Sequence, residues 1–134
     1  MNRSLFIRAL LIWLLIVLIE TIHGVIRQLF LVPIWGDLPS RQAGVVIGSI
    51  LILLVAWFSF GWIRATTIKQ QFTVGALWVA LMIGFEIGLA ALLGMSGERI
   101  RSDYNIFEGG YMILGLIVLL FSLVIVSKFN LRKR

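Results

Sequence analysis

Four long apolar runs, each near the length of a bilayer-spanning helix, decide what this chain can fold into. A helix needs about 20 mostly apolar residues to cross the roughly 30 Å hydrocarbon core. The runs cover about residues 5–31, 43–63, 72–95 and 109–127. The second and fourth hold no charged residue, the first carries Arg8, Glu20, His23 and Arg27, and the third carries Glu86 alone. Apolar residues run on continuously rather than alternating, which excludes membrane-spanning strands. The composition agrees, with 60% hydrophobic and 13% charged residues where soluble domains carry about twice that charge. The expected fold is all-α: an integral membrane four-helix bundle forming a single transmembrane domain over residues 1–134. Arg3 and Arg8 before an apolar run look like the start of a signal peptide. Glu20, Thr21, Ile22 and His23 follow where a small-x-small cleavage site would be needed, so an uncleaved first helix is expected.

Lys and Arg outside the spans set the orientation. Eight fall on the N-terminal flank (Arg3, Arg8), the second loop (Arg64, Lys69) and the C-terminus (Lys128, Arg132, Lys133, Arg134); three fall on the first and third loops (Arg41, Arg99, Arg101). Both termini are therefore expected in the cytoplasm. Trp62 and Phe72 fit the cytoplasmic interface, and Trp35, Tyr104, Phe107 and Tyr111 the outer one. The basic C-terminus suits anionic headgroups, at about 1 kcal/mol per basic residue. Positive-inside topology accounts for the net charge of +6, so no nucleic-acid partner is expected.

The absence of cysteine removes disulfides, thiolate catalysis and iron–sulfur clusters, and a lone histidine removes bis-histidine haem and multi-histidine metal centres. Glu20 and His23 have the Glu-x-x-His spacing of di-iron bundles, but such a site needs two of these motifs. A hydrolase triad would need a nucleophile motif that is missing. No metal, cofactor or enzymatic activity is expected.

Charged groups at membrane depth cost about 2.5–3.5 kcal/mol and usually face the protein interior. At 100° per residue, Glu20, His23, Gly24 and Arg27 lie within about 100° on one helix face, which Trp13 and Ile16 continue inward. Glu86 should sit at nearly the same depth on the third helix. These four ionisable residues are the candidate proton or ion relay; the competing reading pairs Glu20 with Arg27 and uses the charges only to fix the bundle. Small residues let helices approach closely. Ala80, Gly84, Gly88 and Ala91 make such a stripe opposite Glu86, and Gly44 and Gly48 a similar patch, so the third helix should be central or at a subunit interface. Arg41, Arg99, Arg101 and Asp103 are candidates for an outer vestibule, or for a cap of ion pairs, with Asn105 and Glu108 capping the last helix.

An ungapped shift of 66 residues lays Arg3 on Lys69, Phe6 on Phe72, Glu20 on Glu86, Asp37 on Asp103 and Gly44 on Gly110. That register suggests a parallel two-helix repeat about an axis along the membrane normal, though a shared helix–loop–helix grammar accounts for it as well. The segments Glu20-Thr-Ile-His-Gly-Val-Ile-Arg27, Gly36-Asp-Leu-x-x-Arg-Gln42, Glu98-Arg99 and Asp103-Tyr104 resemble a family of small bacterial inner-membrane proteins with an E-T-x-H-G-x-x-R motif in the first helix. The resemblance implies a bacterial inner membrane and nothing about substrate. Functionally the expectation is a small transporter or channel acting as a homo-oligomer. The alternatives are a non-catalytic scaffold subunit held by a larger membrane partner, and a lipid or quinone binder.

Overall fold

The computed structural model describes residues 2–94, 96–98 and 112–133, with side chains to residue 129. Helix α1 spans Arg3–Ile26 and is capped by Asn2, whose side chain accepts from the Leu5 N–H at 2.7 Å. It runs without a break into one wide π turn, Arg27–Leu31, and a short α2, Val32–Trp35. The Val32 N–H reaches back to the Arg27 carbonyl, and Pro33, which follows, has no N–H to donate. Helix α3 spans Asp37–Ile63, α4 Ile68–Leu92 and α5 Met112–Lys133. Four stretches are long and apolar enough to cross a membrane: Arg3–Trp35, Asp37–Ile63, Ile68–Leu92 and Met112–Phe129. No strand occurs among the described residues.

The first connection is tighter than the expected loop of residues 32–42. Gly36 alone is non-helical, at φ +85, a value that side chains rarely adopt. Arg41 consequently lies one turn inside α3, bonded to Asp37 at 3.1 Å, rather than in a loop. The α3–α4 connection turns through Arg64 in the left-handed conformation, and Thr67 and Gln70 form a capping box that starts α4.

Packing contacts order the helices α1–α3–α5–α4 around the bundle, with α5 filling the length between α3 and α4 and a lighter α1–α4 contact closing the ring. The two hairpins thus lie side by side, α1 next to α4 and α3 next to α5. A two-fold axis along the bundle would instead set the corresponding helices across a diagonal. One end carries Arg8, whose Nε donates to the Ile63 carbonyl at 3.0 Å, together with the capping box; the other carries Gly36 and Arg41.

The interior is apolar from Leu5 and Ala9 through Ile16, Ile52, Val74, Trp78 and Met82 to Leu119 and Leu123. Much of the outward surface is equally apolar, as at Phe58 (82% exposed), which suits a hydrocarbon surround. Trp78 is wholly buried, and its indole N–H donates to the Ala9 carbonyl at 2.8 Å, tying α4 to α1. Trp78→Phe is expected to lower the unfolding free energy in bicelles by about 1 kcal/mol, the scale of interhelical hydrogen bonds in membranes.

Candidate functional site

The candidate site is built where the polar face of α1 meets the glycine face of α3. The helices run antiparallel, and the residues inside the seam on α3 are Ser40, Gly44, Gly48 and Ile52, one per turn. A Cβ at Gly48 would lie 2.8 Å from Oε2 and 3.3 Å from Oε1 of Glu20. A Cβ at Gly44 would lie 2.9 Å from Cδ of Arg27 and 3.7 Å from Cε1 of His23. The two glycines are thus notches, one receiving a carboxylate and the other an arginine stem with an imidazole edge. The expected packing role of Gly44 and Gly48 takes this form: they admit polar side chains rather than a bare backbone.

Within the notches Glu20 pairs with His23, Oε2 to Nδ1 at 3.8 Å, with His23 15% and Glu20 23% exposed. The expected alternative pair of Glu20 with Arg27 does not form. Arg27 lies two turns further along, at the first residue of the π turn, with its stem on Gly44. It is close enough to His23 for their positive charges to oppose one another. From α4, half-buried Glu86 stands near enough to Glu20 that two ionised carboxylates there would oppose one another. Just before it, Phe85 meets Trp13 edge to face at 6.2 Å, fixing α4 against the same face of α1. The structure therefore sets Glu20, His23 and Arg27 along one seam, while Glu86 belongs to the neighbouring α4.

Four polar atoms along this face are buried without a hydrogen-bond partner among the described residues: Oε1 of Glu20, Nε2 of His23, the hydroxyl of Ser40 and, two turns from Glu20 toward the Arg8 end, Nε1 of Trp13. Ser40 was not among the expected site residues. Its signal was available, since it continues the i, i+4 pattern of Gly44 and Gly48 by one turn.

The other small-residue stripe behaves differently. Ala80, Gly84, Gly88 and Ala91 are all exposed, and a Cβ at Gly84 or Gly88 would meet nothing within 4 Å. These glycines do not pack helices within one chain. The close crossing of α4 falls instead at Gly75, where an added Cβ would collide with the backbone carbonyl of Leu120 and lie 2.9 Å from its carbon. Arg99, Arg101 and Asp103, with Tyr104, Asn105, Phe107, Glu108, Gly110 and Tyr111, lie outside the described residues, as do the side chains of Arg132, Lys133 and Arg134. An apolar groove of about 540 Å³ opens outward between α1 and α3 nearer the Arg8 end, lined by Ile12, Leu15, Ile19, Leu54 and Phe58.

Substitution at the notches separates the two halves of the site. Gly48→Ala is expected to displace the Glu20 carboxylate, and Gly44→Ala the Arg27 stem, each at about 1–2 kcal/mol because the obstructing atoms end flexible side chains. Unfolding midpoints in mixed micelles check this. Comparison with family models, with curated proteins and with solved structures returns no match. The site alone carries the functional argument.

Proposed function

We propose that the protein is a small multi-pass membrane transporter or channel in which Glu20, His23, Arg27 and Glu86 relay a proton or small cation. The observation that carries this reading is the Glu20 carboxylate. It is seated in the Gly48 notch, paired loosely with His23 and opposed by Glu86, inside four helices suited to span a membrane. Ionisable groups at such depth are costly to insert, which makes them the first candidates for function. Repulsion between two carboxylates is relieved when one takes up a proton or both share a cation.

The setting proposed is a bacterial inner membrane with both termini in the cytoplasm, supported by the excess of Lys and Arg at the Arg8 end. Four spans enclose little volume. The exposed face of Ala80, Gly84, Gly88 and Ala91 offers a second copy the close backbone approach that small residues permit.

A second reading is favoured by one observation: the polar side chains fill glycine notches and so would also lock α1 against α3 in a scaffold subunit. Flux separates the two. Proteoliposomes holding purified protein are expected to dissipate an imposed proton or monovalent cation gradient faster than empty liposomes. Equal rates, with tight retention of one larger membrane protein in pull-downs, would leave the scaffold.

A further inference from the structure

We infer that the groove between α1 and α3 holds one acyl chain of an anionic phospholipid, whose phosphate is held by Arg8 and Arg64. This site lies outside the relay seam and does not depend on it.

The groove fits a tail. Its lining runs along α3 from Leu51 to Trp62, eleven residues, which is about 16 Å at the helical rise per residue. Half of a hydrocarbon core of roughly 30 Å is nearly the same length, so the groove is as deep as one leaflet. Ile12, Leu15 and Ile19 form the facing wall on α1. The lone hydroxyl of the lining, that of Ser59, donates to the Val55 carbonyl of its own helix. Below the Trp62 indole the walls therefore offer an occupant dispersion contacts and no hydrogen bond.

Charge sets the headgroup end. Trp62, half exposed near the end of α3, marks the interfacial depth that indoles prefer. Beside it the Ile63 carbonyl accepts from Arg8 Nε at 3.0 Å, and a second guanidinium nitrogen of Arg8 donates to the Ser4 hydroxyl. Both partners are neutral, so the guanidinium is fixed in place with its charge unmatched. Arg64 follows Ile63, exposed and in the left-handed conformation at φ 61. Glycine is the usual occupant where a helix ends in that conformation, yet an arginine stands here.

None of the six acids falls in the first turns of α1, in the α3–α4 connection or in the last turns of α5. A counter-anion for this end therefore comes from outside the chain. A second copy in the same orientation would bring only more bases to it. A phospholipid brings both parts at the right depths, a phosphate that guanidinium forks match and a tail for the groove.

Native mass spectrometry in a neutral detergent, with added dioleoyl phosphatidylglycerol or dioleoyl phosphatidylcholine, tests the site. One phosphatidylglycerol is expected to bind about fivefold more tightly than phosphatidylcholine or better, the scale of one basic residue at an anionic surface. Arg64→Gly suits the backbone there, so it is expected to keep the unfolding midpoint while losing about fivefold in phosphatidylglycerol affinity. Leu54→Trp fills the groove from a position 48% exposed, and is expected to abolish tight binding of either lipid with the fold intact. Equal affinity for the two lipids, or wild-type phosphatidylglycerol binding by Arg64→Gly, overturns the headgroup assignment and the proposal with it. Unchanged binding by Leu54→Trp overturns the seating of the tail. A lipid-free dimer that Leu54→Trp breaks gives the groove to a second copy instead. Displacement of phosphatidylglycerol by an added prenylated benzoquinone, which carries no charge, overturns the anionic occupant.

Discussion

Glu20→Gln is expected to reduce proton flux in proteoliposomes about 100-fold or more while the bundle stays folded. The amide matches the carboxylate in size, so it fits the Gly48 notch, where the carboxylate oxygens stand 2.8 and 3.3 Å from the position of a Cβ. It removes the repulsion from Glu86 and cannot take up a proton near neutral pH. A general acid–base group in the path of a transferred proton contributes on the order of 10²–10⁴ in rate. A merely structural carboxylate behaves oppositely. Its loss changes the unfolding midpoint and leaves flux alone, and Gln, still able to donate to neighbours, would restore most of the stability. Measuring both quantities on one preparation separates the roles.

Gly75→Leu is the corresponding prediction for the fold. The α4–α5 crossing leaves no room at Gly75, because the atom an added Cβ would strike is the Leu120 backbone carbonyl, which no rotamer change can move. Relief requires α4 and α5 to separate over a turn on each side, opening contacts around Trp78, Leu119 and Leu123 that fill the centre of the bundle. Overpacking of flexible cores costs about 1–3 kcal/mol, and a backbone obstacle places this case at or above the top of that range. The variant is expected to aggregate or to lose its unfolding transition in detergent. Gly84→Leu, at an exposed position with nothing within 4 Å, is expected to leave monomer stability unchanged.

The contrast between those glycines shows where the sequence stops being legible. The i, i+4 stripes at Gly44/Gly48 and Gly84/Gly88 look alike as text, yet one holds the site and the other faces outward. Small residues state that close approach is permitted, not that anything approaches. Gly75 belongs to no such stripe, and its role appears only when α5 lies across it. The four spans and the shared face of Glu20, His23 and Arg27 were legible because helical periodicity and the cost of buried charge act locally. Which partner each charge would take was not. Seven residues separate Glu20 from Arg27, about 10 Å along a helix, while His23 is one turn away and takes the pair. Arg41 reads as a loop residue because it lies between the apolar runs that end at residue 31 and begin at residue 43. One glycine at φ +85 completes the turn, and the residues after it belong to the first turns of α3.

The most direct test is infrared difference spectroscopy on the reconstituted protein stepped between high and low proton concentration. The account predicts a protonated-carboxyl band that appears and disappears with the step in the wild type and is missing in Glu20→Gln. A spectrum without such a band, or one that Glu20→Gln leaves intact, would contradict the assignment of Glu20 as the group that loads and releases the proton.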